Sequence, residues 1–438
     1  MNLGQFSTIR VGAADLNGQW RGKRVPGTYA TKLDKGAVRL PLSALNADIW
    51  GEDIADSPLV FERGDVDGVL YPTDRGAVPM PWLATPSALV PMWMSLEDGT
   101  PYLGDPRHAL NHVLDRYRAR GWEVMAASEM EFSLVDDQGN ALRPPRDPRS
   151  GRRLLSGSMY SLDELDAFDL FFTELHTGCK AMDLPVQSIV NEAGIGQFEV
   201  TFNHQEALYA ADDALLFKML VRGLARKHGM AATFMAKPYA QDAGNGMHVH
   251  FSVVDKDGNN VFDNGGEEGT PLLLSAIAGC LEAMPASTLI FAPHGPSYDR
   301  FAPGAHAPTQ VCWGYENRTV AIRVPGGPTA ARRIEHRVAG GDVNPYLMLA
   351  VMLGAAMDGI DRDLTPPPPI EGNAYEQDLP TLAEDWEEAV ALFEKDPIIA
   401  RALPGQLIRN LVRTKRQELE RLDDIPSSKH WHTYLERV

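Results

Sequence analysis

The sequence predicts an α+β protein in which strands gather in the middle of the chain and helices lie around them. Three observations carry this. Turn signals crowd the first hundred residues, strand-like and helix-like runs interleave beyond them, and the last sixty or so residues are mainly helical.

Asn17-Gly18, Pro26-Gly27, Asp65 to Gly68 and Pro79 to Pro81 are turns, with short apolar or alternating pieces such as Val38–Leu42 and Gly68–Tyr71 between them. This predicts a small, mostly β domain. Asp105-Pro106 then offers an N-cap and a proline at the first helical position, and Ala109, Leu110, Val113, Leu114 and Tyr117 follow at helical spacing to Gly121. The domain boundary is placed there, dividing the chain into 1–103 and 104–438. Trp122–Val135 reads as a strand. Ser161 with Glu164 opens a helix toward Met182. Gln197–Phe202 and Met247–Val254 read as strands. Gln205–His228, Thr270–Met284 and Asn344–Ile360 read as helices.

The chain has 438 residues, with 41 basic and 59 acidic side chains and a net charge of −18. That balance repels nucleic acid phosphates and anionic lipid, so neither is an expected partner. Three cysteines without a CxxC pair argue against a disulfide framework and suit a reducing cytosol. The N-terminus shows no signal-peptide pattern, and the longest apolar stretch noted, near Tyr346–Met357, is too short to span a bilayer. The expected location is cytoplasmic. The sequence contains no GxxxxGK[ST], HExxH or GxSxG.

Four segments put polar residues where strands should be apolar. Glu129-Met130-Glu131 places two carboxylates on one strand face. Asn191 to Glu199 brings Glu192 and Glu199 to either side of a glycine-rich turn. Gly244-Asn245-Gly246 precedes His248, His250 and Ser252 on one face, and its glycines permit close backbone approach to a ligand. Asn317-Arg318 through Arg323, then Arg332 to Arg337, collects arginines around Glu335. Read singly, each fits a solvated face, a plain hairpin or a salt-bridge ladder. Together they supply five carboxylates, two histidines and several arginines. Carboxylates with a minor imidazole share suit Mg²⁺ or Mn²⁺ and not zinc, and arginines beside such ions suit phosphoryl transfer.

These four segments, in this order, resemble the glutamine synthetase family across almost the whole chain, most closely from Asn317 through Pro345. The resemblance implies an N-terminal β-grasp domain and a catalytic domain built as an open antiparallel β-barrel with surrounding helices. It also implies a homo-oligomer, a hexameric ring or a double ring (dodecamer), with active sites between subunits. Its chemistry would be an ATP-dependent ligation through a γ-glutamyl phosphate, with two or more divalent ions per site. By position, Glu131, Glu192 and Glu199 resemble the ligands of one metal, and Glu129, His248 and Glu335 those of a second. His250, Ser252, Arg323 and Arg333 fall where the family meets ATP, with Arg323 facing the transferred phosphate. Arg300, Arg318 and Arg337 fall where it holds glutamate and the acyl phosphate, and Gly244 matches a backbone contact to the amino acid.

The departures point to the second substrate. In the run Arg300-Phe301-Ala302-Pro303-Gly304-Ala305-His306, His306 stands where the family has an ammonium-binding glutamate. Ala243 replaces a usual asparagine, and Asp48 is a poor match to the N-terminal aspartate of the ammonium site. A histidine is mostly neutral at pH 7 and holds NH₄⁺ less well than a carboxylate. The flap, with Trp313-Gly314-Tyr315 after it, resembles the branch that joins glutamate to polyamines, alkylamines, ethanolamine or aromatic amines. His306 would act on the amine proton, and Phe301 and Trp313 read either as pocket walls or as core aromatics. Tyr375 reads as an unmodified loop tyrosine, and Glu267-Glu268 as a solvated loop. The alternatives are a glutamine synthetase using ammonia and a catalytically silent nucleotide-binding ring protein.

Overall fold

The computed structural model describes residues 3–302 and 307–438. Its N-terminal strands are β1 (Thr8–Ala14), β2 (Trp20–Pro26), β3 (Val38–Pro41), β4 (Asp67–Pro72), β5 (Val78–Pro79) and β6 (Ser87–Ser95). They form a β-grasp sheet of order β2-β1-β6-β4-β3, with β5 added on β6. Only the central β1–β6 pair is parallel. The continuous apolar run of β6 suits that central place. Ile9, Val11, Leu70, Val90, Met92 and Met94 form a core of their own for this sheet.

The second sheet holds β7 (Trp122–Val135), β8 (Val186–Asn191), β9 (Gln197–Phe202), β10 (Gln205–Glu206), β11 (Ala231–Thr233), β12 (Met247–Asp255), β13 (Trp313–Tyr315), β14 (Ile322–Val324) and β15 (Ile334–His336). Its order is β13-β14-β15-β12-β7-β9-β8, with β10 and β11 also on β7. Every pairing is antiparallel except β13–β14. On β7 the alternation is strict from Val124 to Phe132, after which Ser133, Leu134 and Val135 are all buried. Val124, Ala126, Met130 and Phe132 are buried, while Glu129 and Glu131 face the other way and are half-buried. The Phe132 ring meets Phe171, Phe198, Phe217 and Phe234 at centroid distances of 5.8–6.5 Å, so the apolar face of the strand is anchored in an aromatic core.

The helix signals hold with three adjustments. Asp105 caps Pro106–Arg118 by accepting from the Arg107 N–H at 2.8 Å. The helix opened by Ser161 breaks at Phe168 into Leu162–Ala167 and Asp169–Ala181, because Phe168 turns its ring into the core against Phe198. Gln205 and Glu206 pair with β7, so the next helix spans Ala207–Lys227. The helix after Thr270 runs through Pro285 to Phe291. A proline there costs the Leu281 carbonyl its partner, about 3 kcal/mol in an exposed helix, but this helix is buried along nearly its whole length. By length and composition it could cross a membrane, yet 83% of its most apolar window lies inside the protein. It packs on Pro345–Asp361, where Gly279 and Gly359 meet backbone to backbone. A Cβ on Gly279 would sit 2.1 Å from the Ala355 carbonyl oxygen.

Ion pairs tie the N-terminal part to the larger one. Arg75 donates to Asp213 at 3.0 Å in a largely buried pair, and Arg107, itself held by Asp212 at 2.9 Å, donates to the more exposed Asp74 at 2.9 Å. Asp48, fully buried, accepts from the Trp50 and Glu52 N–H groups and from Gln417. It is a turn-forming and helix-tethering residue within its own chain.

Candidate active site

Strand register builds the site. β7 places Glu129 opposite His248 on β12 and Glu131 opposite Glu199 on β9, and β12 places His250 opposite Glu335 on β15. Arg323 on β14 stands opposite Glu335 in turn. The polar residues of five neighbouring strands, β14, β15, β12, β7 and β9, thus meet on one face. Glu192 belongs to the turn between β8 and β9 and not to a strand.

Glu129 is the centre. One of its oxygens lies 3.1 Å from His248 Nδ1 and the other 3.0 Å from His250 Nε2. Arg333 Nε donates to His250 Nδ1 at 3.2 Å, and an arginine can only donate. Nδ1 is therefore the acceptor, and the ring proton sits on Nε2, directed at Glu129. Burial opposes the charge of Glu129, but the two histidines outweigh it and hold the carboxyl well below its usual range. Glu335 follows the same pattern. Burial works against ionisation, and Arg337, His248, His250 and Arg323 overcome it and lower the carboxyl. Arg323 Nη1 donates to one Glu335 oxygen at 2.7 Å and Arg337 to the other.

Glu199 and Glu192 behave oppositely. Burial, then the charges of Glu129, Glu131 and Glu192, push Glu199 up to about 9. Burial and the neighbouring carboxylates push Glu192 up to about 7. Carboxylates crowded so that they resist ionisation are a site that a cation would relieve. Among the described residues, ligand atoms within 4.8 Å of one another form two groups, Glu129–Glu199–His248 and Glu129–His250–Glu335, which share Glu129. Oxygen donors with one imidazole each fit Mg²⁺ or Mn²⁺. These groups differ from the triads implied by the resemblance. His250 joins Glu335, while Glu131 and Glu192 stand outside both. Glu131 is drawn aside by the Gly246 N–H at 2.8 Å and Gln197 Nε2 at 2.9 Å.

Two arginine groups flank the carboxylates. Arg300 is buried, donates to the Val338 carbonyl at 2.7 Å, and lies within electrostatic reach of Glu131 and Arg337. The Nε atoms of Arg323 and Arg337 are buried and have no hydrogen-bond partner among the described residues. Unspent donors on neighbouring buried cations are suited to an anion. Arg318 lies exposed in a turn and acts on Glu192 through its charge. Beside the cluster opens a cleft of about 1090 Å³, lined by Glu129, His250, Ser252, Thr201 and Arg333. That is room for a nucleotide-sized ligand.

Some readings of the sequence change here. The close approach at Gly244 and Gly246 is made by the chain itself. A Cβ on Gly244 would lie 2.3 Å from the Ala236 carbonyl oxygen, and one on Gly246 would lie 2.7 Å from Arg300 Nη2. Trp313 is a core aromatic, buried with its Nε1 donating to the Pro367 carbonyl at 2.7 Å. Phe301 packs against the core and meets Tyr298 edge-on. Glu267 and Glu268 are exposed, but the backbone of their loop is held: Arg332 donates to the Gly266 and Glu267 carbonyls at 2.6 and 2.5 Å. Tyr375 sits in a short turn near Arg300 and Arg337. His306 lies outside the described residues. Gln197 and Glu316 contact Glu131 and Arg323 and carry no role in the sequence reading; a buried amide two residues before Glu199 is the signal the sequence offers for the first.

Residues 103–434 match the family described as glutamine synthetase, catalytic domain. The gamma-glutamylputrescine synthetase of Escherichia coli (strain K12) is 40% identical over 94% of this chain and 88% of its own length. The glutamate–isopropylamine ligase of a Pseudomonas species is 30% identical over 99% and 96%, and the glutamine synthetase of Pyrococcus abyssi 32% over 97% and 92%. Among solved structures, one titled "Apo GmaS without ligand" superposes with a TM-score of 0.85 at 26% identity, covering 98% of this chain and 97% of that one. Strand register, carboxylate cluster and relatives agree, and the chain belongs to the glutamine synthetase family.

Proposed function

We propose that this protein is an ATP-dependent ligase that joins the γ-carboxylate of glutamate to an organic amine through a γ-glutamyl phosphate. The observation that carries the reading is the meeting of Glu129, Glu199, Glu335, His248 and His250 in two groups at ligand distance, with Glu131 and Glu192 beside them and Arg300, Arg323, Arg333 and Arg337 buried or half-buried around them, at an open cleft of about 1090 Å³. Relatives that act on putrescine and isopropylamine direct it toward an organic amine.

In this reading Glu129, Glu131, Glu192, Glu199, His248 and Glu335 would hold divalent ions, which when bound neutralise phosphate charge. His250, Ser252, Arg323 and Arg333 would bind ATP along the cleft. Arg300, Arg318, Arg337 and the Gly244 backbone would hold glutamate and its activated carboxylate. Arg323 and Arg337 are kept in place by the two oxygens of Glu335, so their remaining N–H groups are presented without reorganisation. Residues 1–103 would form a domain that closes the site of a neighbouring subunit in a ring.

The test is ADP release with glutamate, Mg²⁺ and a panel of amines that includes ammonia. We expect an organic amine to be used far better than ammonia, and activity to vanish in excess EDTA. Ammonia as the best substrate would favour glutamine synthetase, in line with the Pyrococcus relative. Full activity in EDTA would remove the metal assignment, and no ADP release with any amine would favour a silent nucleotide-binding protein.

His306 carries a separate expectation. Only an unprotonated amine can attack an acyl phosphate, and alkylamines are mostly protonated at pH 7, so a proton acceptor is needed. His306→Ala should slow amide formation by about 100-fold while leaving ATP and glutamate KM nearly unchanged. His306→Glu should recover part of the use of ammonia. Unaltered amine preference in both variants would assign His306 to packing alone.

A further inference from the structure

Gln197 begins β9 and is 2% exposed. Its side chain touches three separate parts of the site. Oε1 accepts from the Gly194 N–H at 2.8 Å and so closes the turn that carries Glu192. Nε2 donates to Glu131 Oε2 at 2.9 Å and to the Gly244 carbonyl at 2.9 Å, with Asn245 Oδ1 further off at 3.2 Å. The two amide hydrogens are matched by the two nearest acceptors, and the single donor by the amide oxygen. The orientation is therefore determined, and no other side chain of this length offers both halves. Gly194 has no side chain because a Cβ would lie 2.6 Å from Gln197 Oε1.

The consequence lies at Glu131. Its Oε2 accepts from both Gln197 and the Gly246 N–H. Among the described residues that leaves Oε1 as the oxygen without a hydrogen-bond donor, and the amide fixes which of the two it is. The same amide donates to the Gly244 carbonyl on a different segment and so fixes its direction. We propose that Gln197 is a positioning residue that locks Glu131 and the Gly244 carbonyl together, so that cation binding and glutamate binding depend on one amide. This rests on the roles proposed above for Glu131 and Gly244.

Two variants of the full chain test it. Gln197→Met keeps the length and removes every hydrogen bond. Gln197→Glu keeps the acceptor for Gly194 and replaces the donor with an oxygen facing a carboxylate and a carbonyl. Mn²⁺ binding is read by electron paramagnetic resonance of the free ion, without turnover, and KM by ADP release. Mutation of a group that orients a metal ligand weakens metal binding about 10- to 100-fold, and we expect a loss of about tenfold in Mn²⁺ affinity for Gln197→Met. Glutamate KM should rise about tenfold in both variants while ATP KM stays within about twofold. If Gln197→Met does not fold, the glutamate and ATP KM values of Gln197→Glu decide the matter alone. Unchanged glutamate KM, or glutamate and ATP KM rising in parallel, would overturn the inference while the wild type still binds Mn²⁺. A wild type that takes up no Mn²⁺ would bring down the metal reading, and this inference with it.

Discussion

Glu129→Gln should lower kcat/KM by about three orders of magnitude or more, equivalent to about 4 kcal/mol of transition-state stabilisation. The substitution keeps the shape of the side chain and removes its charge. Glu129 is the one residue common to both groups of candidate ligands, and both of its oxygens are engaged, at 3.1 Å with His248 and 3.0 Å with His250. An amide would present an oxygen to one histidine and an NH₂ to the other. Because the His250 ring proton already points at this position, the NH₂ is tolerated only on the His248 side. Both cation groups then lose a negative charge in one step. The measurement is steady-state ADP release across a Mg²⁺ series, with circular dichroism and oligomer size as controls. Retention of more than a tenth of wild-type kcat/KM at saturating Mg²⁺ would sink the assignment.

The second large effect is expected at Arg323. Arg323→Ala should lower kcat about 100- to 1000-fold and change the KM of ATP and glutamate only a few-fold, as befits a group that acts on charge in transit. Arg323 spans Glu335 at 2.7 Å and Glu316 at 3.3 Å, and its Nε is left without a partner among the described residues. Arg337 still neutralises Glu335 in the variant, so the fold around β15 should survive. Arg323→Lys should recover little, because one ammonium cannot bridge two carboxylates and offer a further donor in a fixed plane. A change confined to glutamate KM would assign Arg323 to substrate binding instead.

Much of this was legible in the sequence because strand alternation is a strong constraint. Glu129 and Glu131 had to share a face once Val124, Ala126, Met130 and Phe132 needed the other, and His248, His250 and Ser252 followed the same rule. The partners across strands were not legible. Register decides that His250 faces Glu335 and that Glu129 lies between two histidines, and register is a property of the sheet and not of one strand. Helix ends failed where tertiary packing prevailed. Phe168 broke a helix to reach the core, and burial carried another through Pro285. The glycines before Met247 read as sites where a ligand comes close to the backbone, whereas the groups found there are Arg300 and the Ala236 carbonyl of the chain itself, which sequence spacing does not reveal.

The sharing of Glu129 bears on how the site would fill. Two cations drawing on one carboxylate are not independent ligands. The first to bind would orient Glu129 and remove part of the repulsion that burdens Glu199, while also consuming negative charge that the second would use. Whichever of these prevails, the factor by which the first ion alters the affinity of the second equals the factor in the reverse direction. If two cations bind here, their occupancies would therefore be coupled, with either sign, and a titration that follows one ion would also carry the influence of the other.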